Sequence, residues 1–144
     1  MRVIPLRVLV VVATIAVASC ASYVAPTNGP TARVKFVGNQ FYAYVDEGGT
    51  CSTRKMVPKD AWPSTYVRAG QRLWLEQGID TSGLAFGYTC GFVFSFEPEA
   101  DTTYVSEYRS ENMRCQVNLY RLSATGERIR ETSLRIEKPR LCLI

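Results

Sequence analysis

From Ala32 onward, apolar and polar residues alternate with a period of two, and this constrains the fold more than any other feature of the chain. A strand turns successive side chains to opposite faces, whereas a helix buries residues three and four apart. Residues 32–37 (ARVKFV) set Val34 and Phe36 on one face, with Arg33 and Lys35 opposite. Residues 41–45 (FYAYV) are aromatic and β-branched and end at Asp46-Glu47-Gly48-Gly49, a turn by composition. Ala69-Gly70 is a second turn, followed by Arg72-Leu73-Trp74-Leu75-Glu76. Residues 91–96 (GFVFSF) place three Phe on one face and stop before Pro98. Strands over 102–109, 114–122 and 129–136 complete the set, the last two joined as a hairpin by Ala124-Thr125-Gly126-Glu127. The stretches 58–64 and 77–83 read as loops. No segment holds a helical stripe, so the spacing predicts an all-β fold: a single antiparallel β-sandwich of about seven strands, Ig-like or transthyretin-like. Its expected core is Val34, Phe36, Leu73, Leu75, Phe92, Phe94, Phe96, Val117, Leu119 and Leu134.

Composition narrows the chemistry. A chain of 144 residues is one domain's worth, and 47% apolar with 21% charged is incompatible with wholesale disorder. The absence of His removes Ser-His-Asp and Cys-His catalysis, imidazole metal sites and His-based pH switching. Ser-Lys catalysis stays open in principle, with only four Lys to supply a base, Lys35, Lys55, Lys59 and Lys138. Phosphate-binding GxxxxGK, dinucleotide GxGxxG and heme-attachment motifs are missing from the sequence. The expectation is no enzyme, no catalytic residue, no metal and no cofactor.

The first twenty residues, MRVIPLRVLVVVATIAVASC, carry Arg2 and Arg7, then an apolar block from Val8 to Val17 broken only by Thr14, then Ala18-Ser19-Cys20. The block is well short of the ~20 residues that span a bilayer, so it reads as an export signal helix. Its ending, Val17-Ala18-Ser19-Cys20, resembles the lipobox of bacterial lipoproteins, with Val in place of the commoner Leu. The resemblance implies a signal peptide over 1–19, cleavage before Cys20, a diacylglycerol on its thiol and an acyl chain such as palmitate on its amino group. Ala21, which is not Asp, implies outer-membrane sorting, with the domain facing the periplasm. Residues 20–31 then form the lipidated Cys and a linker, with two Pro, one Gly and no charge after Cys20, and residues 32–144 form the sandwich domain.

Cleavage removes two arginines, leaving 15 basic against 13 acidic side chains. That balance is too even for nucleic acid, so membrane attachment rests on the lipid. Charge is uneven along the chain: residues 31–69 carry six basic and three acidic side chains, 70–108 one and six, 109–144 eight and four. Such blocks form docking faces or, more often, mix once strands interleave.

With Cys20 assigned to lipid, Cys51, Cys90, Cys115 and Cys142 remain, an even number suited to two disulfides in an exported chain. Three pairings are open; Cys51–Cys90 with Cys115–Cys142 is favoured. No CxxC is present, and closely spaced ligand pairs for zinc are absent from the sequence.

Glu97, Glu99 and Asp101 alternate around Pro98 and suggest either a Ca²⁺ loop or, better without Gly or Asn, a polar turn. Residues 77–91 (QGIDTSGLAFGYTCG) carry four Gly and the apolar group Leu84, Ala85, Phe86 and Tyr88. They read as a partner-binding loop or, preferably, a strand whose Gly residues admit close sheet contact. Trp62 and Tyr66, flanking Pro63, are a second aromatic candidate for binding or for covering an open end of the core.

A weaker resemblance lies in Ala69–Leu75 and in Phe94–Tyr104 (FSFEPEADTTY), which look like stretches of small bacterial envelope lipoproteins. Those domains resemble sugar-binding-type or carboxypeptidase-regulatory-type sandwiches in outline, and no functional residue transfers from them. The expected role is a lipid-anchored, non-catalytic binding or structural accessory with an envelope protein as partner. The alternatives are an inhibitor of a cell-wall hydrolase such as lysozyme, or the small lipoprotein of a secretion system.

Overall fold

A computed structural model describes residues 22–85 and 87–139, so Cys20, Phe86 and Cys142 lie outside the described residues, as does the stretch 1–19 read as a signal peptide. Ten strands follow one another: β1 (Thr31–Gly38), β2 (Tyr42–Asp46), β3 (Arg54–Met56), β4 (Ser64–Arg68), β5 (Leu73–Asp80), β6 (Thr89–Phe96), β7 (Thr103–Glu111), β8 (Arg114–Leu122), β9 (Arg128–Arg130) and β10 (Arg135–Glu137). Two short 3-10 turns, Cys51–Thr53 and Lys59–Ala61, flank β3. The strands form two five-stranded sheets, β4-β1-β7-β8-β9 and β10-β6-β5-β2-β3, stacked as a β-sandwich. No helix among the described residues is long and apolar enough to cross a membrane.

Two details correct the expectation of about seven antiparallel strands. First, β1 and β7 run parallel, with Arg33 opposite Thr103 and Gly38 opposite Tyr108. Between them the chain leaves the first sheet, forms β2 and β3 in the second, returns as β4 beside β1, and crosses again through β5 and β6. Second, residues 129–136 are not one strand. Arg128–Arg130 pairs with β8, and Arg135–Glu137 pairs with β6 in the opposite sheet. The corner between them is held by Glu131 N–H donating to the Leu119 carbonyl and Ser133 N–H donating to the Glu131 carboxylate. The β8–β9 hairpin itself closes over the 124–127 turn as expected, with Ser123 N–H on the Glu127 carbonyl.

Alternation sorts the inner faces. Val34, Phe36, Leu73, Leu75, Phe94, Phe96 and Leu119 are all buried, and Phe92, Val117 and Leu134 pack against them half-buried. Each such side chain contributes about 1.5–3 kcal/mol by leaving water. The core also takes in residues the alternation did not single out, including Val45, Val57, Val67, Tyr104 and Tyr108. Buried phenols need partners. Tyr104 accepts from the Glu99 N–H at 2.9 Å, and Tyr108 donates to the Cys90 carbonyl at 2.7 Å. Beside them Ser106 donates to the Gln77 side-chain oxygen at 2.5 Å, both residues being fully buried.

The segment read as a linker lies on the sandwich from Ser22 onward. Ser22 bridges Met56 in parallel, and Tyr23 N–H donates to the Met56 carbonyl at 2.6 Å. The Tyr23 ring enters the core between the edge strands of the two sheets, β3 and β4. Its hydroxyl donates to Glu47 at 3.0 Å and to the Tyr66 carbonyl at 3.1 Å.

The cysteine pairing differs from the favoured one. Cys90 is bonded to Cys115, with Cα atoms 6.3 Å apart, so Cys51–Cys90 and Cys115–Cys142 do not form. The bridge joins β6 to β8, tying one sheet to the other at the end of the core where both residues point inward. Spacing along the chain could not reveal this, because the partners meet only when the sheets stack. Cys51 is also disulfide-bonded, its partner lying outside the described residues.

Closing a loop of 25 residues stabilises the fold by about 3 kcal/mol through the unfolded chain. The paired variant Cys90→Ser/Cys115→Ser is expected to lower unfolding free energy by about that amount in urea titrations, with the β circular-dichroism signal retained.

Candidate functional site

The outer face of the second sheet gathers aromatic and charged side chains from three adjacent strands. Tyr42 and Tyr44 of β2 point away from the core because Ala43 and Val45 point into it. In register with Tyr44 stand Met56 of β3 and Glu76 of β5, and the next position, Asp46, is flanked by Arg54 and Trp74. Arg54 grips Glu76 with both arms of its guanidinium, Nε at 2.8 Å and Nη2 at 2.9 Å. The same guanidinium lies 3.6 Å over the Tyr44 ring. Burial disfavours the cation, but the Glu76 bonds and charge outweigh it and push the Arg54 pKa up further. Arg54 is therefore held as a cation, and its two bonds to Glu76 fix the guanidinium in one orientation.

Tyr42 lies over a glycine pair. Gly78 and Gly91 face each other across β5 and β6, and a Cβ on either would collide with the Tyr42 hydroxyl. Their missing side chains leave the phenol room to lie flat on the sheet. Burial, then the Glu76 carboxylate, pushes the Tyr42 pKa up to about 12. Between these side chains a cleft of about 290 Å³, open mouth included, is lined by Tyr44, Asp46, Arg54, Trp74, Glu76 and Val93. Asp46 is braced by the Thr53 hydroxyl and by the Gly48 N–H at 3.1 Å, and the Trp74 ring lies against Gly49.

A second polar group continues along the same sheet. Arg72 donates to Ser95 at 2.9 Å and to Glu97 at 2.7 Å, and Ser95 donates to Glu137 of β10 at 2.5 Å. The network links the end of β6 to the C-terminal strand. Its chemistry is that of a rigid recognition surface with planar faces and fixed donors, because each named carboxylate already accepts from a neighbour.

The residues singled out from sequence fall in separate places. Leu84 stands exposed at the tip of the β5–β6 hairpin. Only 81–88 is loop there; Gln77 to Asp80 and Thr89 to Gly91 are paired strand, so the preferred reading of glycines at a close sheet contact describes the stem. The tip is closed by Thr81 N–H on the Tyr88 carbonyl and Tyr88 N–H on the Thr81 hydroxyl. Tyr88 reaches back to Ser110 of β7 through its hydroxyl, which separates it from Leu84. Hydrogen bonds from the Ser82 hydroxyl and N–H and from Thr89 hold the Asp80 carboxyl below its usual range.

Trp62 is half-buried, 5.5 Å from Phe36 between ring centroids, and donates to the Val57 carbonyl at 3.4 Å. It lines a shallow cleft of about 500 Å³ with Gln40, Phe41 and Lys59. Tyr66 projects instead from the outer face of the first sheet, 50% exposed, with the Arg33 guanidinium 6.0 Å from its ring centre. The two aromatics thus do not form one site. Glu97 and Glu99 turn to Arg72 and Arg121, and no group of acids or cysteines among the described residues is placed to hold a metal. The charge blocks mix across strands: Arg54 meets Glu76, Arg121 meets Glu99, and Arg128 meets Glu107.

Sequence reasoning missed the sheet face. The signal was available in FYAYV and RLWLE, whose polar-side positions are Tyr, Tyr, Trp and Glu rather than small polar residues. The Arg54–Glu76 pairing was not, because β3 has no apolar alternation of its own.

No protein-family model matches the chain, and no curated protein or solved structure is significantly similar to it.

Because the fold favours the neutral Tyr42 phenol, its contribution to stability is whole below the unfolded pKa of about 10 and is lost as pH rises toward 12. The raised pKa values of Tyr104 and Tyr108 act in the same direction. Tyr42→Phe is expected to make the alkaline decline of the urea midpoint shallower between pH 10 and 12, with little change near neutrality.

Proposed function

We propose that this chain is a bacterial lipoprotein of the outer membrane, held by lipid on Cys20 and facing the periplasm, where it serves as a non-catalytic binding or structural accessory. The observation that carries the reading is the leader itself: Arg2 and Arg7, the apolar block Val8 to Val17, and Val17-Ala18-Ser19-Cys20 followed by Ala21. One acyl chain binds a bilayer weakly and reversibly, whereas the several that lipoprotein processing attaches hold firmly. A binding role is supported by the outer face of the second sheet, where Arg54, Glu76, Tyr44 and Tyr42 are already locked in place. Groups ordered in advance lose little entropy when a partner docks. An envelope protein is the partner such a surface suits.

A test follows from competition for sulfur. Cys51 is disulfide-bonded, and the cysteines outside the described residues are Cys20 and Cys142. A thioether-linked lipid and a disulfide exclude each other at Cys20, so lipid anchoring requires Cys51 to pair with Cys142. Intact mass and unreduced peptide mapping of protein extracted from membranes are expected to give an acylated chain beginning at Cys20, with Cys51–Cys142 beside Cys90–Cys115. A Cys20–Cys51 peptide, or an unmodified Cys20, overturns the proposal.

One observation favours a second reading, inhibition of a cell-wall hydrolase: the tightly closed β5–β6 tip presents Leu84 at 69% exposed, a shape able to enter an enzyme cleft. If it holds, the purified protein slows lysozyme in a turbidity assay and Leu84→Asp abolishes the effect; no slowing by the intact protein removes this reading.

A further inference from the structure

We infer that the side of the sandwich formed by Ser22 to Val24, β3 and β4 lies flat against the bilayer, so that the domain is strapped to the membrane in one orientation. The inference rests on the lipid-anchor reading of Cys20 and adds to it a face, an occupant and a fixed reach. The occupant is the anionic headgroup layer of the membrane that holds the lipid.

Chain reach comes first. Ser22 pairs with Met56, and Tyr23 is locked by burial and by bonds to Glu47 and Tyr66. Cys20 lies two residues before Ser22, and an extended chain covers about 3.5 Å per residue. The lipid-bearing residue is therefore within about 7 Å of the β3 edge. A loose linker of a dozen residues would let the domain roam; here the next fixed point is the sandwich itself.

The chemistry of this side is the second argument. Val24 is 78% exposed beside the strap, while Met56, 41% exposed, and Tyr66, 50% exposed, stand at the outer rims of β3 and β4. Lys55 is exposed beside Met56, and Arg33 and Arg68 flank Tyr66 across β1 and at the end of β4. The carboxylates of this side are Glu47, which Arg68 approaches at 3.4 Å and which accepts from Tyr23, and the exposed Asp60 in the turn between β3 and β4, where Lys59 adds a further cation. Apolar side chains ringed by cations, with a Tyr whose hydroxyl end stays wet, suit the headgroup boundary of a negatively charged leaflet.

The far edge of the second sheet is different. There β10 ends at Glu137, with Lys138 directly after it, at the opposite edge of the five-stranded sheet from β3. With β3 and β4 down, the Tyr42–Tyr44–Arg54 face stands roughly at right angles to the membrane. It is then open to partners embedded in or lying on the bilayer, and is kept from targets beyond the domain's own height.

Lysine acetylation of the full lipoprotein in vesicles of phosphatidylethanolamine with a quarter phosphatidylglycerol tests this, read by mass spectrometry. Intact mass on the same sample first establishes acylated Cys20; if lipid is absent there, the anchor reading fails, not the face. With lipid present, Lys55 is expected to react several-fold more slowly than Lys138, both being exposed side chains. Inserting twelve Gly/Ser residues between Ala21 and Ser22 is expected to bring the two rates close together. Equal rates in the unaltered lipoprotein, or Lys138 the slower, overturn the inference while leaving the anchor intact. Unchanged Lys55 protection after insertion overturns the argument from chain reach.

Discussion

The two sheets stay together because alternate residues of β5 and β6 interdigitate with those of β1, β7 and β8. Leu73, Leu75, Phe94 and Phe96 on one side meet Val34, Phe36, Tyr104 and Leu119 on the other, and every one is buried. Interiors are packed to crystal-like density, so this layer also dictates which side chains must face outward. Tyr42, Tyr44, Trp74 and Glu76 are on the outer face for that reason alone. The candidate recognition surface is a by-product of the core's register.

The sandwich is closed differently at its margins. At one end, Cys90–Cys115 crosses from sheet to sheet beside Tyr108, whose hydroxyl takes the Cys90 carbonyl. Along one side, the ring of Tyr23 fills the seam between β3 and β4. Edge strands expose unpaired backbone groups that invite pairing with other chains. Ser22 and Tyr23 occupy part of the β3 edge, so the segment next to the proposed lipid is also a structural element. The proposed anchor and the fold thus meet at one aromatic side chain, Tyr23.

Much of this architecture was legible in the sequence. Period two marked β1, β2, β5, β6, β7 and β8, because each has one apolar face long enough to register. Strand β3 was not legible, and β9 and β10 read as one strand over 129–136: RKM, RIR and RIE are three residues each, mostly charged, and take their bounds from the longer neighbour each pairs with. The strand STYVR was missed because Thr65 stands where an aliphatic residue would have completed the alternation. Of the candidate residues, Trp62 proved to cover the core and Leu84 to crown a hairpin, each through local packing that spacing does not encode.

By itself the sequence determined the all-β class and most of the core, and it carries the apolar stretch ending at Cys20 on which the anchor proposal rests. Those features depend on residue type and short-range order. Tertiary structure alone decided that β1 and β7 run parallel, that Cys90 meets Cys115, that Tyr23 plugs a seam, and that Arg54 clasps Glu76. Each of these joins residues between 22 and about 70 positions apart, and such partners become neighbours only when the two sheets stack in one register.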